Sequence, residues 1–301
     1  GAMSIAQRTT AAVIQSDGSN EGYATVDRWK VDFGSAMGGA VTSQQVGTTS
    51  IGGGEFRKAL KLQCSTVNSG AMTGGSNRFL SVASYLEGQD LTHLAYGSPD
   101  AKSTTYSFWV YTNKTGRYGF STISRSSNDA YDVWGSYFDV HTANAWQKII
   151  FTVEGNTSDD IKFTNSFGLL VDIYLAVGDN RDGTPYETWG TYGTARVPQT
   201  TYVDFCDSTS NIFYITGVQL ELGKVATPFE HRGYGEELAL CQRYFQRLEW
   251  KGGNTIVALQ FNSVSGLFSL NYTRKRDDPT FVLPTAVTGT NQANGISLLT
   301  S

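Results

Sequence analysis

Two stretches of the chain carry the residue types that hold a sugar. Ser127-Asn128-Asp129-Ala130-Tyr131-Asp132-Val133-Trp134 and Tyr186-Glu187-Thr188-Trp189-Gly190-Thr191-Tyr192 each interleave aromatic rings with short hydrogen-bonding side chains. An exposed ring can lie against the apolar face of a pyranose while Asp, Asn, Gln or Arg beside it satisfies the hydroxyls. The candidate glycan-binding residues are therefore Trp189, Tyr186, Tyr192, Trp134, Tyr131, Asp132 and Asn128. Trp189 leads, because its Gly-rich surroundings have no evident need of a ring for a core. The competing assignment puts Trp134 and Trp189 at the ends of the fold or between subunits, places where rings also dominate. Trp29, Trp109 and Trp146 are assigned to the core.

Other chemistries find less support. Asp159-Asp160 are adjacent rather than set across a cleft, so they neither draw nor exclude a glycosidase pair. No Gly-x-Ser-x-Gly elbow accompanies His93, His141 and His231, which read as packing or solvated side chains. Cys64, Cys206 and Cys241 are odd in number and far apart, fitting neither a disulfide framework nor a metal site. They are expected to be reduced and buried. No catalytic residue, metal or cofactor is expected. The oxygen-rich turn Asp179-Asn180-Arg181-Asp182-Gly183 could supply ligands to a structural Ca2+, although Arg181 opposes a cation there. A net charge of −4 without any dense Lys/Arg segment argues against nucleic acid as a partner. The absence of any apolar run of about 18 residues argues against membrane insertion. No signal peptide is expected, and Gly1-Ala2-Met3 reads as an expression-tag remnant.

The elements that must position these side chains are strands. With 33 Gly against 6 Pro and abundant Ser and Thr, the chain reads as a turn-rich β protein. Leu169, Val171, Ile173 and Leu175 alternate with Leu170, Asp172 and Tyr174, predicting one packed face and one partly wet face. Ile149, Phe151 and Val153 alternate in the same way, and in Thr104 to Tyr111 Phe108 and Val110 take one face while Ser107, Trp109 and Tyr111 take the other, a ligand- or neighbour-facing one. Turn clusters at Asn113-Lys114-Thr115-Gly116, Glu154-Gly155-Asn156 and Gly178-Asp179-Asn180 punctuate them. No helix-length pattern separates the strands, which rules down a doubly wound α/β fold. The expected fold is mainly β: a jelly-roll β-sandwich over residues 4–232, then one α-helix and a small β extension over residues 233–301.

The passage from Ile215 to Arg247 joins the two parts. Apolar residues occupy odd positions at Phe213 and Ile215 and even positions at Val218, Leu220 and Leu222, so the phase slips at Gly217 and predicts a β-bulge. Gly235, Glu236 and Glu237 open a helix, with Arg243 and Arg247 toward its end. Leu238, Cys241, Phe245 and Leu248 form one apolar stripe, and Leu240 and Tyr244 a second. A helix apolar on two sides needs two partners. Leu240, Tyr244 and Leu248 are therefore the candidate oligomerisation residues. The roughly fifty residues after the helix are too few for an independent sandwich, so this tail is either incomplete or completed by neighbouring chains.

These same passages resemble modules of tailed-bacteriophage tail-fibre and receptor-binding proteins. The resemblance is carried by Ser4-Ile5-Ala6-Gln7-Arg8 with Val26-Asp27-Arg28-Trp29, and by Leu86-Glu87-Gly88 leading to Ser107-Phe108-Trp109-Val110. It is carried most specifically by Tyr214-Ile215-Thr216-Gly217-Val218-Gln219-Leu220-Glu221 through Pro228-Phe229-Glu230-His231-Arg232 to Gln242-Arg243-Tyr244. It covers about residues 4 to 248. It implies a jelly roll similar to carbohydrate-binding modules, made in the bacterial cytoplasm and carried on the virion tail. The implied partners are a host cell-surface polysaccharide, sister chains of a homotrimer and other virion tail proteins. Such modules have no shared catalytic motif, so the resemblance transfers no functional residue. A purely architectural fibre segment and a polysaccharide depolymerase are the other readings.

Overall fold

The computed structural model describes residues 1–15, 22–34, 37–51, 54–68, 70, 72, 78–248, 259–262, 265–267 and 272–280. In chain order its strands are β1 (Ala11–Gln15), β2 (Lys30–Phe33), β3 (Ala40–Ile51), β4 (Phe56–Thr66), β5 (Phe79–Glu87), β6 (Thr104–Thr112), β7 (Gly116–Arg125), β8 (Tyr131–Val140), β9 (Ala145–Val153), β10 (Phe167–Val177), β11 (Trp189–Thr191) and β12 (Ile212–Leu222). A helix, α1 (Tyr234–Gln242), and a hairpin of β13 (Leu259–Asn262) and β14 (Ser265–Leu267) follow. The first twelve strands form two six-stranded antiparallel sheets, in the orders β1-β3-β4-β12-β6-β9 and β11-β8-β7-β10-β5-β2. The expected jelly-roll sandwich is what the chain builds.

Period-two alternation decides what lies between the sheets. Phe108 and Val110 of β6, Ile149, Phe151 and Val153 of β9, and Phe213 and Ile215 of β12 meet Tyr118, Phe120, Trp134, Phe138, Val171, Ile173 and Leu175 of the opposite sheet. Phe120 and Phe151 stack across the layers with centroids 4.2 Å apart. Burial of this many large side chains is the main source of stability, at roughly 25 cal/mol per Å2 of apolar surface removed from water.

The sequence reading falls short on the other side of β10. Asp172 and Tyr174 were expected on a partly wet face, yet both are buried. Residues 178–204 cross that side of the sheet, bringing Val197 and Tyr202 against Phe79, Tyr174 and Val177. The crossing is close enough to require glycine below it: a Cβ at Gly135 would stand 2.5 Å from Thr184 Oγ1 and 2.9 Å from the Arg196 carbonyl.

The phase slip in β12 is a bulge, as expected. Pairing with β6 jumps between Thr216 and Gln219, and Gly217 adopts φ +60°, a conformation that favours glycine. The helix is shorter than expected. Its N-cap is Gly233, and Glu236 and Glu237 occupy the first turn. Arg243 still has right-handed helical angles and the Phe245 N–H reaches the Cys241 carbonyl at 3.1 Å, but the Arg243 carbonyl, which a continuing helix would bond internally, accepts the Arg276 N–H at 3.0 Å and the helix does not go on. Leu248 therefore lies outside the helix. The β13–β14 hairpin matches part of the expected extension; residues 254–258, 268–271 and 281–282 of that expectation lie outside the described residues. Cys64, Cys206 and Cys241 are free and buried.

Candidate functional site

Tyr131 and Trp134 sit three residues apart on β8, so the pleat sends them to opposite faces. Trp134 enters the core, 1% exposed, packed near Phe120 and Phe151. It is no part of an accessible site. Asp132 shares its inward direction and is buried, accepting a hydrogen bond of 2.7 Å from Asn156 Nδ2. Burial raises its carboxyl above the usual range, only partly offset by that bond. Asn128 is occupied locally, its side-chain oxygen accepting from the Ser126 hydroxyl and the Ala130 N–H in the turn before β8.

Tyr131 faces outward and is the centre of a row of half-buried rings. Tyr192 lies 5.4 Å from it on one side, brought there by the bond from the Tyr192 N–H to the Tyr131 carbonyl. Phe167, at the start of β10, stacks 6.0 Å away on the other side, and Tyr85 of β5 meets Phe167 edge-on at 5.3 Å. The Arg125 guanidinium stands 5.8 Å from the Tyr131 ring and 5.2 Å from Phe167, and that of Arg196 covers Tyr192 at 3.5 Å. Asp129 ties the edge together, accepting from Arg125 at 2.9 Å and Lys162 at 2.5 Å. Of the residues singled out from the sequence, Tyr131 and Tyr192 are brought together. Phe167, Tyr85, Arg125 and Arg196 are additions. Tyr85 and Arg125 alternate outward on their strands and were open to the same pattern reading; Phe167 and Arg196 depend on the path of loops.

Polar groups lie buried in the same sheet. Asp172 is directly opposite Ser121 in the β10–β7 pairing, and Tyr174 opposite Ser81 in β10–β5. Asp172 Oδ1 and the hydroxyls of Ser81 and Ser121 are buried without a partner of hydrogen-bonding geometry. Burial pushes the Asp172 carboxyl up to about 6, against the pull of the nearby Ser81 and Tyr174 hydroxyls, with the Asp32 charge raising it further.

Tyr186 and Trp189 are placed elsewhere. Tyr186, 51% exposed, lies 5.2 Å from Tyr137 with the rings tilted by 35°, and the Arg117 guanidinium stands 3.7 Å from the Tyr137 ring. Trp189 faces inward opposite Trp134, meets Tyr96 edge-on at 5.8 Å and donates its indole N–H to the Glu154 carbonyl at 2.7 Å. Its half-buried ring packs against the cluster of Leu91, Leu94, Tyr96 and Leu169, surroundings of the kind the assignment that competes with binding describes.

The opposite sheet carries a second aromatic cluster, two of whose members, Trp109 and Trp146, were assigned to the core from the sequence. Tyr111, Trp146 and Tyr214 lie within 5.3 to 6.2 Å of one another on its outer face, with Trp109 also half-buried beside them. Because Phe108, Val110 and Ile149 take the inward positions, the alternation forces Trp109, Tyr111 and Trp146 outward. The candidate oligomerisation residues divide. Leu240 and Leu248 are exposed at 37% and 38%, whereas Tyr244 donates its hydroxyl to Glu87 Oε1 at 2.7 Å within its own chain. Among the described residues no three His, Cys, Asp or Glu side chains converge on a metal position. No helix there is long and apolar enough to cross a membrane.

No family model matches the chain, and no curated protein matches it. Among solved structures it is similar to the enzymatically active domain of bacteriophage CBA120 tailspike protein 4, at 11% identity and TM-score 0.35, over 65% of this chain and 19% of that one. The chain thus spans about a fifth of that protein's length. It is also similar to the family 11 carbohydrate-binding module of the Clostridium thermocellum cellulase Lic26A-Cel5E, at 11% identity and TM-score 0.31, over 74% of this chain and 100% of that one. Likeness at this level establishes no shared fold. The class of the protein, a two-sheet antiparallel β-sandwich of jelly-roll type with one helix, is defined by its own strand order.

Proposed function

We propose that the chain is a non-enzymatic, glycan-binding component of a bacteriophage tail, and that it binds host-surface polysaccharide along the row Tyr192, Tyr131, Phe167 and Tyr85. The row carries the reading: half-buried rings side by side, with the partly exposed Arg125 beside them and the buried Arg196 fixing Tyr192 from behind, offer the flat surface and an adjacent charged donor that a sugar uses. Such a shallow face binds one saccharide weakly. Repetition on a homotrimer, joined to other tail proteins, supplies avidity because later contacts are intramolecular. Display on a virion, outside the host, is part of the same proposal.

A second reading, a structural fibre segment, is favoured by one observation. The Tyr111–Trp146–Tyr214 cluster and the neighbouring Ile150, 51% exposed, leave an aromatic and aliphatic patch on the other sheet that suits a sister chain. Binding of the purified chain to an array of bacterial polysaccharides, compared with Tyr131→Ala of unchanged near-UV circular dichroism, tests the first reading. Binding lost only in the variant supports it. Binding equal in both proteins, or absent from both, is evidence against it.

A further inference from the structure

A cavity of about 390 Å3 lies beyond the Phe167 end of the aromatic row, lined by Gln89, Asn165, Arg243, Arg274, Lys275 and Arg276. Its lining holds four cationic side chains and two amides, and no carboxylate. The composition is unusual for a chain whose net charge is −4.

The cations are held by the fold. Arg243 makes two bonds to Glu87, at 2.8 and 2.7 Å. Arg276 is anchored through its backbone, its N–H reaching the Arg243 carbonyl at 3.0 Å and its carbonyl accepting from Asn165 Nδ2 at 2.6 Å. Its guanidinium also reaches the Asn165 carbonyl at 3.3 Å. Lys275 donates to the Gln242 carbonyl at 2.6 Å and to Gln246 Oε1 at 2.9 Å. Residues 273–276 thus form a strap fastened to the helix and to the end of the sandwich. Arg274, in its middle, is exposed and has no hydrogen-bond or ion-pair partner among the described residues. Glu87 is consumed by Arg243 and Tyr244, so its charge is already matched.

A concave site with preset cations and a free guanidinium suits an oxyanion, which Arg can grip with parallel N–H donors. We propose that this cavity is a second ligand site, recognising a phosphate or carboxylate group carried by a saccharide. Its lining shares no residue with the aromatic row, so a polysaccharide bearing such groups would be read at two places.

Ligand-observed NMR titrations of the full chain with glucose 6-phosphate, glucuronate and glucose test this at low salt. At least one of the two anionic sugars is expected to bind, with glucose at least fivefold weaker; which of the two binds identifies the source of the charge. Raising the salt to 0.2 M is expected to weaken binding severalfold, because the partly exposed cations are screened. Arg274→Ala removes an exposed, unpartnered side chain and is expected to weaken the anionic sugar at least fivefold without changing the melting temperature. Tyr131→Ala is expected to leave it unchanged. Equal binding of all three sugars, no binding of either anionic sugar, an unaltered Arg274→Ala, or loss in Tyr131→Ala would each overturn the proposal. The last of these outcomes would assign the binding to the aromatic row, leaving that reading intact.

Discussion

Replacing Glu87 with Ala tests how the helix is held to the sandwich. The Glu87 side chain is 2% exposed and accepts from Arg243 Nε and Nη2 at 2.8 and 2.7 Å and from the Tyr244 hydroxyl at 2.7 Å. Burial alone would raise its pKa, yet the bonds from Arg243 and Tyr244 outweigh burial and hold the carboxyl below its usual value. Each hydrogen bond to a charged group contributes roughly 1.5–3 kcal/mol. Arg243 is 29% exposed, so water recovers part of that in the variant. A net loss of about 3 kcal/mol is expected, which for a body of this size is a drop in melting temperature of roughly 6–12 °C. Glu87→Gln, which keeps the volume and one acceptor, should lose less. Because the folded pKa is depressed, the stabilisation is present above the ordinary carboxylate value of 4.5 and is lost as pH falls through the lower folded value. Circular-dichroism melts of both variants between pH 3 and pH 7 supply the measurement, with tryptic cleavage near Arg243 and Arg247 reporting release of the segment. A loss below about 0.5 kcal/mol, within the range of ordinary surface substitutions, would refute the reasoning.

Three further outcomes follow from the geometry. Gly217→Ala should cost more than about 2 kcal/mol, since a Cβ there meets Phe56 Cζ at 2.5 Å and φ is +60°; a chemical-denaturation midpoint equal to wild type would contradict the bulge assignment. Asp172, raised from 3.8 to about 6, binds its proton more tightly when folded, so its ionisation lowers stability progressively between about pH 4 and 6 and by a constant amount above. At about 1.4 kcal/mol per pH unit this is about 3 kcal/mol, and the stability difference between wild type and Asp172→Asn, measured against pH, should change by that order across the window; a flat difference would show the carboxylate to be solvated. Trp189→Ala should lower the melting temperature, because the ring packs against Tyr96 and Glu154, by roughly 2 kcal/mol for a half-buried ring. Selective loss of glycan binding with unchanged stability would instead return Trp189 to the binding face.

What the sequence made legible was whatever alternation and turn chemistry alone determine. The strands around Phe108, Phe151 and Ile173, the inward direction of their odd or even positions and the slip at Gly217 all follow from a period of two. The same rule sets Trp109 and Tyr111 on the face away from Phe108 and Val110, whereas the size of Trp109 and Trp146 argued for the core; the alternation is what the fold obeys. What pattern could not show was the path of residues 178–204, which covers Tyr174 and so decides which part of the sheet stays open. The site was legible in its types and only partly in its members. Tyr131 and Tyr192 were named, while Trp134 and Asp132 share their segment but face inward by parity. Phe167 and Tyr85 join the row through strand pairing between segments far apart in sequence. The shortened helix was hidden for a similar reason, since Arg276, thirty-three residues beyond Arg243, captures its carbonyl.

The most direct measurement of the central claim is the affinity of the purified chain for polysaccharides from a panel of bacteria, compared with Tyr131→Ala and with Tyr111→Ala on the opposite sheet. Taking the stacking of a nucleobase on an aromatic side chain as the analogue, truncating the Tyr131 ring costs about 1–3 kcal/mol per site. The account predicts at least a tenfold loss for Tyr131→Ala and none for Tyr111→Ala. The reverse order, with both proteins folded, would place recognition on the other sheet and contradict the account.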